Sequence, residues 1–179
     1  MTLEELWQLF PIFLTAHQPC WKEWYLEEEI LLQKVLPQAQ RISHIGSTAI
    51  SSIWAKPIID ILVEVSKGSD LFVYKKLLAD NGYICMSESE KGLSFNKGYT
   101  ENGFAERVFH LHVRYTGDHN ELYFRDYLNE FPEIAKEYEA LKLSLWEKHE
   151  HNRDAYTNAK TEFVRKYTEQ AKMIYGNRY

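Results

Sequence analysis

The residues of this sequence best suited to chemistry surround a turn and the strand after it. Gly46, Ser47 and Thr48 form a Gly-Ser-Thr turn, and Asp60 lies inside a following apolar strand candidate. A helix beginning at Ser47 would present backbone amides as an anion site, and glycine would let a phosphate approach closely. An ionised carboxylate within an apolar strand must be paired or ligated. The pattern is compatible with a phosphate site beside a ligating carboxylate. Taken alone, however, it favours a purely structural interpretation, in which Ser47 only caps a helix and Asp60 binds an arginine or backbone amides.

A pair of histidines forms a second candidate site. His110 and His112 are separated by one residue in a predicted strand, so their side chains project from the same face. If that strand lies beside Asp60, the three side chains would hold one metal ion. Two imidazoles and a carboxylate suit Zn, Fe, Ni or Mn better than Mg, which prefers oxygen ligands. In the alternative interpretation the histidines contact a phosphate or hydrogen-bond a tyrosine.

Two cations are expected to meet an anionic ligand in this region. Lys56 immediately precedes the strand of Asp60, and Arg125 lies on a predicted helix. A guanidinium suits bidentate contact with phosphate. The competing hypothesis for Arg125 is a plain ion pair with Asp126 or with a glutamate of the next helix.

These groups have to be positioned by a small sheet with helices around it. Residues 57–65 are apolar on both strand parities, which is typical of a central strand covered on both faces. The periodicity predicts strands at about 41–45, 83–86, 93–96 and 107–115, a short helix at 47–53, and helices at about 20–36, 70–80, 120–131, 132–148 and 154–175. The predicted fold class is α+β, a small mixed sheet of four or five strands with flanking helices.

The predicted organisation is a single domain over residues 1–179. It comprises an N-terminal helical arm (1–37), on which Leu6 and Trp7 would pack against the body, an α/β core (38–116) and a helical half (117–179). A chain of this size buries enough surface to fold without disulfides or structural metals. The lone cysteines Cys20 and Cys85 indicate neither a zinc knuckle nor a disulfide framework.

Composition excludes several classes of function. The 26 acidic residues against 21 basic residues give a net charge of −5. This balance argues against general nucleic-acid binding and against an anionic membrane surface. The apolar N-terminal stretch is preceded by glutamates rather than by basic residues, and no apolar run reaches the roughly 18–20 residues of a membrane span. We therefore expect a cytoplasmic protein without membrane contact.

Several ordered motifs resemble those of the GrpB family, which is related to the nucleotidyltransferase superfamily. The first is HIGSTAISSIWAKPIIDILVEV, which contains the turn and the strand aspartate. The similarity continues in FHLHVRY (109–115), NELYFRDYLNEFPEIAKEYEALK (120–142) and YTNAKTEFV (156–164). Together these segments span about residues 41 to 170. In some bacteria a similar domain is fused to dephospho-CoA kinase, which suggests nucleotide chemistry by association only.

The resemblance implies a nucleotidyltransferase-like core. In that superfamily a Gly-Ser turn holds the nucleotide phosphates, one strand carries two carboxylates two residues apart, and a later strand supplies a third. Gly46 and Ser47 match the turn and Asp60 matches the first carboxylate, but the second position is Leu62. Glu64 would project from the same face of the strand as Asp60, yet it lies roughly 13 Å further along the strand. It could not share metal ions held about 3.5–4 Å apart.

The resemblance therefore implies a protein that binds a nucleotide or another phosphorylated small molecule. The cofactor is left open, and a divalent metal (Mg, Mn or Zn) is the candidate. Ser47 and Asp60 would be the catalytic residues of a nucleotidyl transfer, and the ligand would be held by Gly46, Ser47, Thr48, Lys56 and Arg125. Two alternatives stay open: a non-catalytic nucleotide- or metabolite-binding module, and a single-metal hydrolase using Asp60 with the two histidines.

Further residues bear on this choice. A compensating carboxylate reaching in from Glu106, Asp118 or Asp126 would favour an enzyme, whereas Leu62 favours a binding module. Lys142, Tyr156 and Lys160 also match the family pattern, and Tyr156 and Lys160 share a helix face. They would form a pocket wall, or they would simply be surface and packing residues. The oligomeric state is left open.

Overall fold

The computed structural model describes residue 5 and residues 8–179. Leu6 and Trp7, and with them part of the expected N-terminal arm, lie outside the described residues. The architecture is the predicted α+β arrangement of one mixed sheet with flanking helices. The strands are β1 (Arg41–Ile45), β2 (Ile59–Val65), β3 (Ile84–Ser89), β4 (Gly92–Thr100) and β5 (Gly103–Tyr115), and the helices are α1 (Cys20–Val35), α2 (Leu71–Ala79), α3 (Asn120–Glu130), α4 (Pro132–His149), α5 (Arg153–Asn158) and α6 (Thr161–Tyr175).

The five strands lie in the order β1-β2-β5-β4-β3. β1 is antiparallel to β2, β2 is parallel to β5, and β4 is antiparallel to both β5 and β3. β2 is therefore an interior strand, as its apolar run predicts. The parallel register places Asp60 directly opposite His110, and Leu62 opposite His112.

The two faces of the sheet have different cores. The odd-numbered residues of β2 pack with Trp21, Tyr25 and Leu32 of α1 and with Tyr74 and Leu78 of α2. The even-numbered residues face the helical half instead. Because β2 is covered on both sides, Asp60 is held on a strand with little freedom to move.

The helical half has an aromatic core of its own. Tyrosine, phenylalanine and aliphatic side chains of α3, α4 and α6 form one buried cluster, into which Ile50 and Ile53 of the loop before β2 also pack. This contact ties the loop after Gly46 to the helical half. Within the described part of the chain, no helix combines the length and apolar character needed to traverse a bilayer.

Two local predictions were wrong. The short helix expected from Ser47 to Ile53 is only a three-residue 3₁₀ turn, Ser47–Ala49. Its N-cap is Gly46, and no side chain caps it, so a turn this short supplies no helix-terminus anion site. The last predicted helix is two helices, α5 and α6, with a break at 159–160.

Candidate functional site

A cavity of about 670 Å³ lies between the even-numbered face of the sheet and the helical half. Its walls come from the turn after β1, the start of β2, one residue of β5, and helices α3 to α6. The residues that line it and that carry the argument below are Gly46, Ser47, Lys56, Asp60, His110, Tyr138, Lys142, Tyr156 and Lys160. A cavity of this size is in the usual range for metabolite and cofactor sites.

Gly46 is needed because the Asp60 carboxylate lies against it. Gly46 has a φ of +71°, and a Cβ built there would lie 2.3 Å from Asp60 Oδ2. No L side chain fits that space. The sequence predicts that the glycine makes room for a phosphate; the structure shows that it makes room for the carboxylate of Asp60.

Thr48 supports the turn from inside. Its side chain is 3% exposed, and its hydroxyl donates to the Ile58 carbonyl at 3.1 Å. The same oxygen lies 2.9 Å from His44 Nε2, whose ring stacks on Tyr25. Since the Thr48 proton is given to the carbonyl, the oxygen accepts from the His44 ring. Burial lowers the pKa of His44 to about 4, so this ring holds the turn without charge near neutral pH. The Thr48 hydroxyl thus has a structural role in the turn, while Thr48 also lines the cavity, and its predicted contact with a ligand stays a prediction.

A series of polar contacts between side chains orients Asp60. His110 Nδ1 lies 3.4 Å from Asp60 Oδ1, His110 Nε2 lies 2.8 Å from the Tyr99 hydroxyl, and Arg153 donates to that hydroxyl at 3.3 Å. Burial alone would raise the pKa of Asp60. The hydrogen bond from His110 and the charges of His110, His112 and Lys56 outweigh it and lower the pKa, so Asp60 is ionised at neutral pH.

The predicted metal trio is not assembled. His112 Nδ1 lies 3.2 Å from Ser94 Oγ, and burial lowers the His112 pKa. Both ring nitrogens of His110 are engaged by Asp60 and Tyr99. Within residues 8–179, no group of three or more His, Cys, Asp or Glu side chains is placed to hold a metal ion. The donor set therefore does not fit a single-metal site built on Asp60, His110 and His112, and metal binding stays a prediction.

Three lysines project into the cavity over two tyrosine rings. The Nζ atoms of Lys56 and Lys160 lie 5.2 Å and 4.4 Å from the centre of the Tyr156 ring. Lys142 Nζ lies 5.0 Å from the centre of the Tyr138 ring and donates to the Trp54 carbonyl. A cation over an aromatic face is stabilised without being neutralised. In the part of the chain that is described, none of the three lysines forms an ion pair.

Burial and mutual repulsion make these ammonium groups acidic. Burial, with Lys160 and Arg153 nearby, lowers the pKa of Lys56 to about 7. Burial and Lys160 lower that of Lys142 to about 7, and burial lowers that of Lys160 to about 8. An anion entering the cavity would raise the pKa of each lysine.

Ser47 reaches the same cavity. It lines the wall beside Asp60 and interacts with the phenol of Tyr138, whose pKa is raised to about 12 by burial in spite of that contact. The cavity thus brings together six predicted residues: Gly46, Ser47, Thr48, Lys56, Asp60 and His110. Lys142 and Lys160 join them from the helical half.

Arg125 does not reach this cavity. Its guanidinium pairs with Asp126 at 2.7 Å and donates to the His44 carbonyl at 2.9 Å and to the Tyr179 hydroxyl at 3.0 Å. The ion-pair interpretation of Arg125 therefore applies. These partners hold the guanidinium away from the cavity, which Arg125 does not line.

The position of the second carboxylate is part of the core. Leu62 is fully buried and packs with Ile45 and Leu122. Glu64 is also fully buried, but it pairs with Arg41 at 2.8 Å and with His119 at 2.7 Å. It lies on the same face of β2 as Asp60 but four residues further along the strand, and it does not line the cavity. Of the proposed compensating carboxylates Glu106, Asp118 and Asp126, none lines the cavity.

One signal for Lys142 is present in the sequence. The buried residues of α4 are Ala135, Tyr138, Lys142 and Leu145, which repeat at helical spacing. Lys142 thus occupies a core position of an amphipathic helix, where a lysine is unusual. Periodicity identifies the position as buried, but only the tertiary packing of α4 against the turn shows that it reaches a cavity.

Comparisons with known proteins agree with this fold. A sequence model described as GrpB protein matches residues 11–170. The glutamate-rich protein GrpB of Alkalihalophilus pseudofirmus is 38% identical over 160 residues, covering 86% of this chain and 91% of that protein. The UPF0157 protein YqkA of Bacillus subtilis is 33% identical over 177 residues, covering 95% of this chain but only 51% of that protein. The chain thus spans about half the length of this second relative.

Solved structures give the same result. The crystal structure of the conserved protein GrpB from Enterococcus faecalis has a TM-score of 0.79 at 30% identity, covering 91% of this chain and 99% of that one. The Cid1 poly(U) polymerase with MgGTP bound has a TM-score of 0.53 at 13% identity, covering 82% of this chain and 47% of that one. The second similarity concerns the fold alone, which is nucleotidyltransferase-like. With its family match over residues 11–170 and these relatives, the chain belongs to the GrpB family.

Proposed function

We propose that this protein binds a nucleotide through its phosphates in the cavity between the sheet and the helical half. The observation that carries the proposal is the set of three lysines that face one space, two of them half-buried and Lys142 only 2% exposed. Burying an ammonium group without a counter-ion is costly. A chain that gathers three such groups gains stability when an anion enters.

The charges at the lysine end of the cavity support a polyanion. When protonated, Lys56, Lys142 and Lys160 carry three positive charges there, and Asp60 is the carboxylate that lies among them. One carboxylate leaves an excess of positive charge at this end. Lysine is a common phosphate ligand that acts as a point charge with several donors. Ser47 would add a hydroxyl from the turn.

The fold supports a nucleotide as the particular anion. Cid1, whose fold this chain shares at low identity, was solved with MgGTP bound. A cavity of about 670 Å³ is far larger than a single phosphate needs. The fold similarity and the cavity size therefore agree with the charge argument.

The same geometry favours binding over nucleotidyl transfer. Two-metal phosphoryl transfer needs carboxylates that share ions about 3.5–4 Å apart. Position 62 holds a buried leucine, and Glu64 is committed to Arg41 and His119. We therefore propose a binding module that keeps the fold without the paired carboxylates.

Calorimetric titration tests the proposal. The purified chain would be titrated with tripolyphosphate, with the four ribonucleoside triphosphates and with uncharged adenosine, each with and without Mg²⁺. We expect the phosphorylated compounds to bind and adenosine not to bind. Absence of binding by every phosphorylated compound at millimolar concentration would contradict the proposal.

The pH dependence of anion binding follows from the lysines. Their pKa values of about 7, 7 and 8 mean that all three are protonated at low pH and become neutral as the pH rises through this range. We expect the affinity for sulfate, whose own charge is constant here, to fall by tenfold or more between about pH 6 and about pH 9. Anion binding at intermediate pH should also be accompanied by proton uptake. Calorimetric titration in buffers of different ionisation enthalpy measures the number of protons taken up. A flat profile without proton uptake would exclude these lysines as the anion site.

A further inference from the structure

The cavity is longer than its cationic end. From the lysines it continues between α3 and α6, where Asn120, Glu121 and Phe124 form one wall and Val164 and Thr168 the other. Lys160 precedes α6 and Lys172 lies near its end, so this part of the groove extends roughly 18 Å along the helix. Phosphates held by the three lysines would leave this second part for another portion of the same ligand.

Most charges at this second end are paired, unlike those at the first, and Lys172 Nζ lies 5.8 Å from the centre of the Tyr123 ring. Arg114 donates to Glu121 at 2.7 Å, and Arg165 donates to Glu169 at 2.9 Å. Phe124 and Val164 contribute apolar surface between these pairs. A charged group would gain little here, whereas an uncharged ring with a few hydrogen-bonding atoms would be accommodated.

We propose that the α3–α6 part of the cavity is a nucleoside subsite, so that the ligand is a nucleoside polyphosphate lying along α6 with its phosphates at the three lysines. The inference depends on the proposed phosphate site. It adds the orientation of the ligand and the selection of a nucleotide over inorganic polyphosphate. Phe124 would contact the base or sugar, and Asn120 and Glu121 would supply polar partners.

Bulky substitutions in the two walls of the α3–α6 part of the cavity test the two subsites separately. Val164→Trp fills the groove from α6, and Asn120→Trp fills it from the exposed start of α3, where folding is less affected. Met173→Trp adds the same bulk at a 78% exposed position of α6 outside the cavity and is the matched control. Each variant would be titrated with tripolyphosphate and with the four ribonucleoside triphosphates.

The wild-type chain is expected to bind at least one ribonucleoside triphosphate about tenfold more tightly than tripolyphosphate. Val164→Trp and Asn120→Trp should remove this preference without changing the affinity for tripolyphosphate, and Met173→Trp should keep it. A wild-type chain that binds tripolyphosphate as tightly as every nucleotide, or wall variants that keep the preference or weaken both ligands equally, would overturn the nucleoside subsite alone. A wild-type chain that binds neither ligand would overturn the phosphate site as well.

Discussion

Replacing Lys142 and Lys160 together by methionine is expected to abolish measurable binding of both tripolyphosphate and nucleoside triphosphates. Each ammonium group that contacts a phosphate contributes a charge-assisted hydrogen bond worth about 1.5–3 kcal/mol, so each single replacement should cost roughly ten- to a hundredfold in affinity. The two lysines approach the cavity from different elements, α4 and the segment between α5 and α6. Titration calorimetry of the single and double variants measures the loss.

Lys148→Met is the matched control for this loss. Lys148 lies on α4 like Lys142, but it is exposed and does not line the cavity. It should bind both ligands as the wild type does. If Lys148→Met weakened binding as much as Lys142→Met, the effect would come from the net charge of the protein, and the cavity would not be the site.

Although Lys142→Met should weaken ligand binding, we expect it to maintain or raise the stability of the unliganded protein. The pKa of Lys142 is lowered to about 7 in the folded state, so below that pH the folded chain carries the full desolvation cost of a buried charge. Without ligand, Lys142→Met should therefore leave the free energy of unfolding unchanged or raise it by about 1–4 kcal/mol near pH 6. The difference should shrink as the pH rises toward the ordinary lysine value. Urea denaturation at several pH values measures it, and a marked loss of stability near pH 6 would contradict this account of Lys142.

The second large effect is expected from Gly46→Ala. The added Cβ would meet Asp60 Oδ2 at 2.3 Å, and the backbone conformation, φ +71° and ψ −172°, is one that L residues avoid. Asp60 cannot retreat without leaving His110, because β2 is interior to the sheet. We expect a loss of about 3–5 kcal/mol in the free energy of unfolding, measured by urea denaturation, together with loss of nucleotide binding.

Two further variants separate the clash from the backbone strain. Gly68→Ala introduces the same side chain at a φ of +91° with no atom within 4 Å, and should cost only about 1 kcal/mol. Asp60→Ala in the Gly46→Ala background removes the atom that the new methyl group meets. The double variant should be more stable than the sum of the two single effects predicts. Strict additivity would mean that the carboxylate does not set the requirement for glycine.

Much of the fold could be predicted because local patterns decide it. The bounds of α1 and β1 and the interior position of β2 follow from apolar periodicity and from a proline after the helix. The break between α5 and α6 could not be predicted, because the spacing of Tyr156 and Lys160 is equally consistent with one continuous helix. The strand order depends on pairings between distant segments that no single-sequence pattern contains.

Some residues of the candidate site could be predicted from the sequence, and others depend on tertiary contacts. The turn, Asp60 and Lys56 are close in sequence, and the cavity unites them. His110 lies opposite Asp60 because of the register of the parallel β2–β5 pair. The alternation of side chains along each strand is consistent with this pairing, but it does not determine which residues lie opposite one another. Arg125 could not be assigned, since its ion pair with Asp126 and a ligand contact use the same residue types. The Tyr99 and Arg153 contacts depend on the β4–β5 pairing and on α5, so they become visible only in three dimensions.

The burial of Leu62 makes position 62 a poor place for a second carboxylate beside Asp60. Its side chain interlocks with Ile45 on the neighbouring strand and Leu122 on α3. An acidic group introduced there would enter dry, close-packed space and would have to be accommodated by changes at both neighbours simultaneously. A carboxylate at position 62 would therefore disturb the packing of β1, β2 and α3 together.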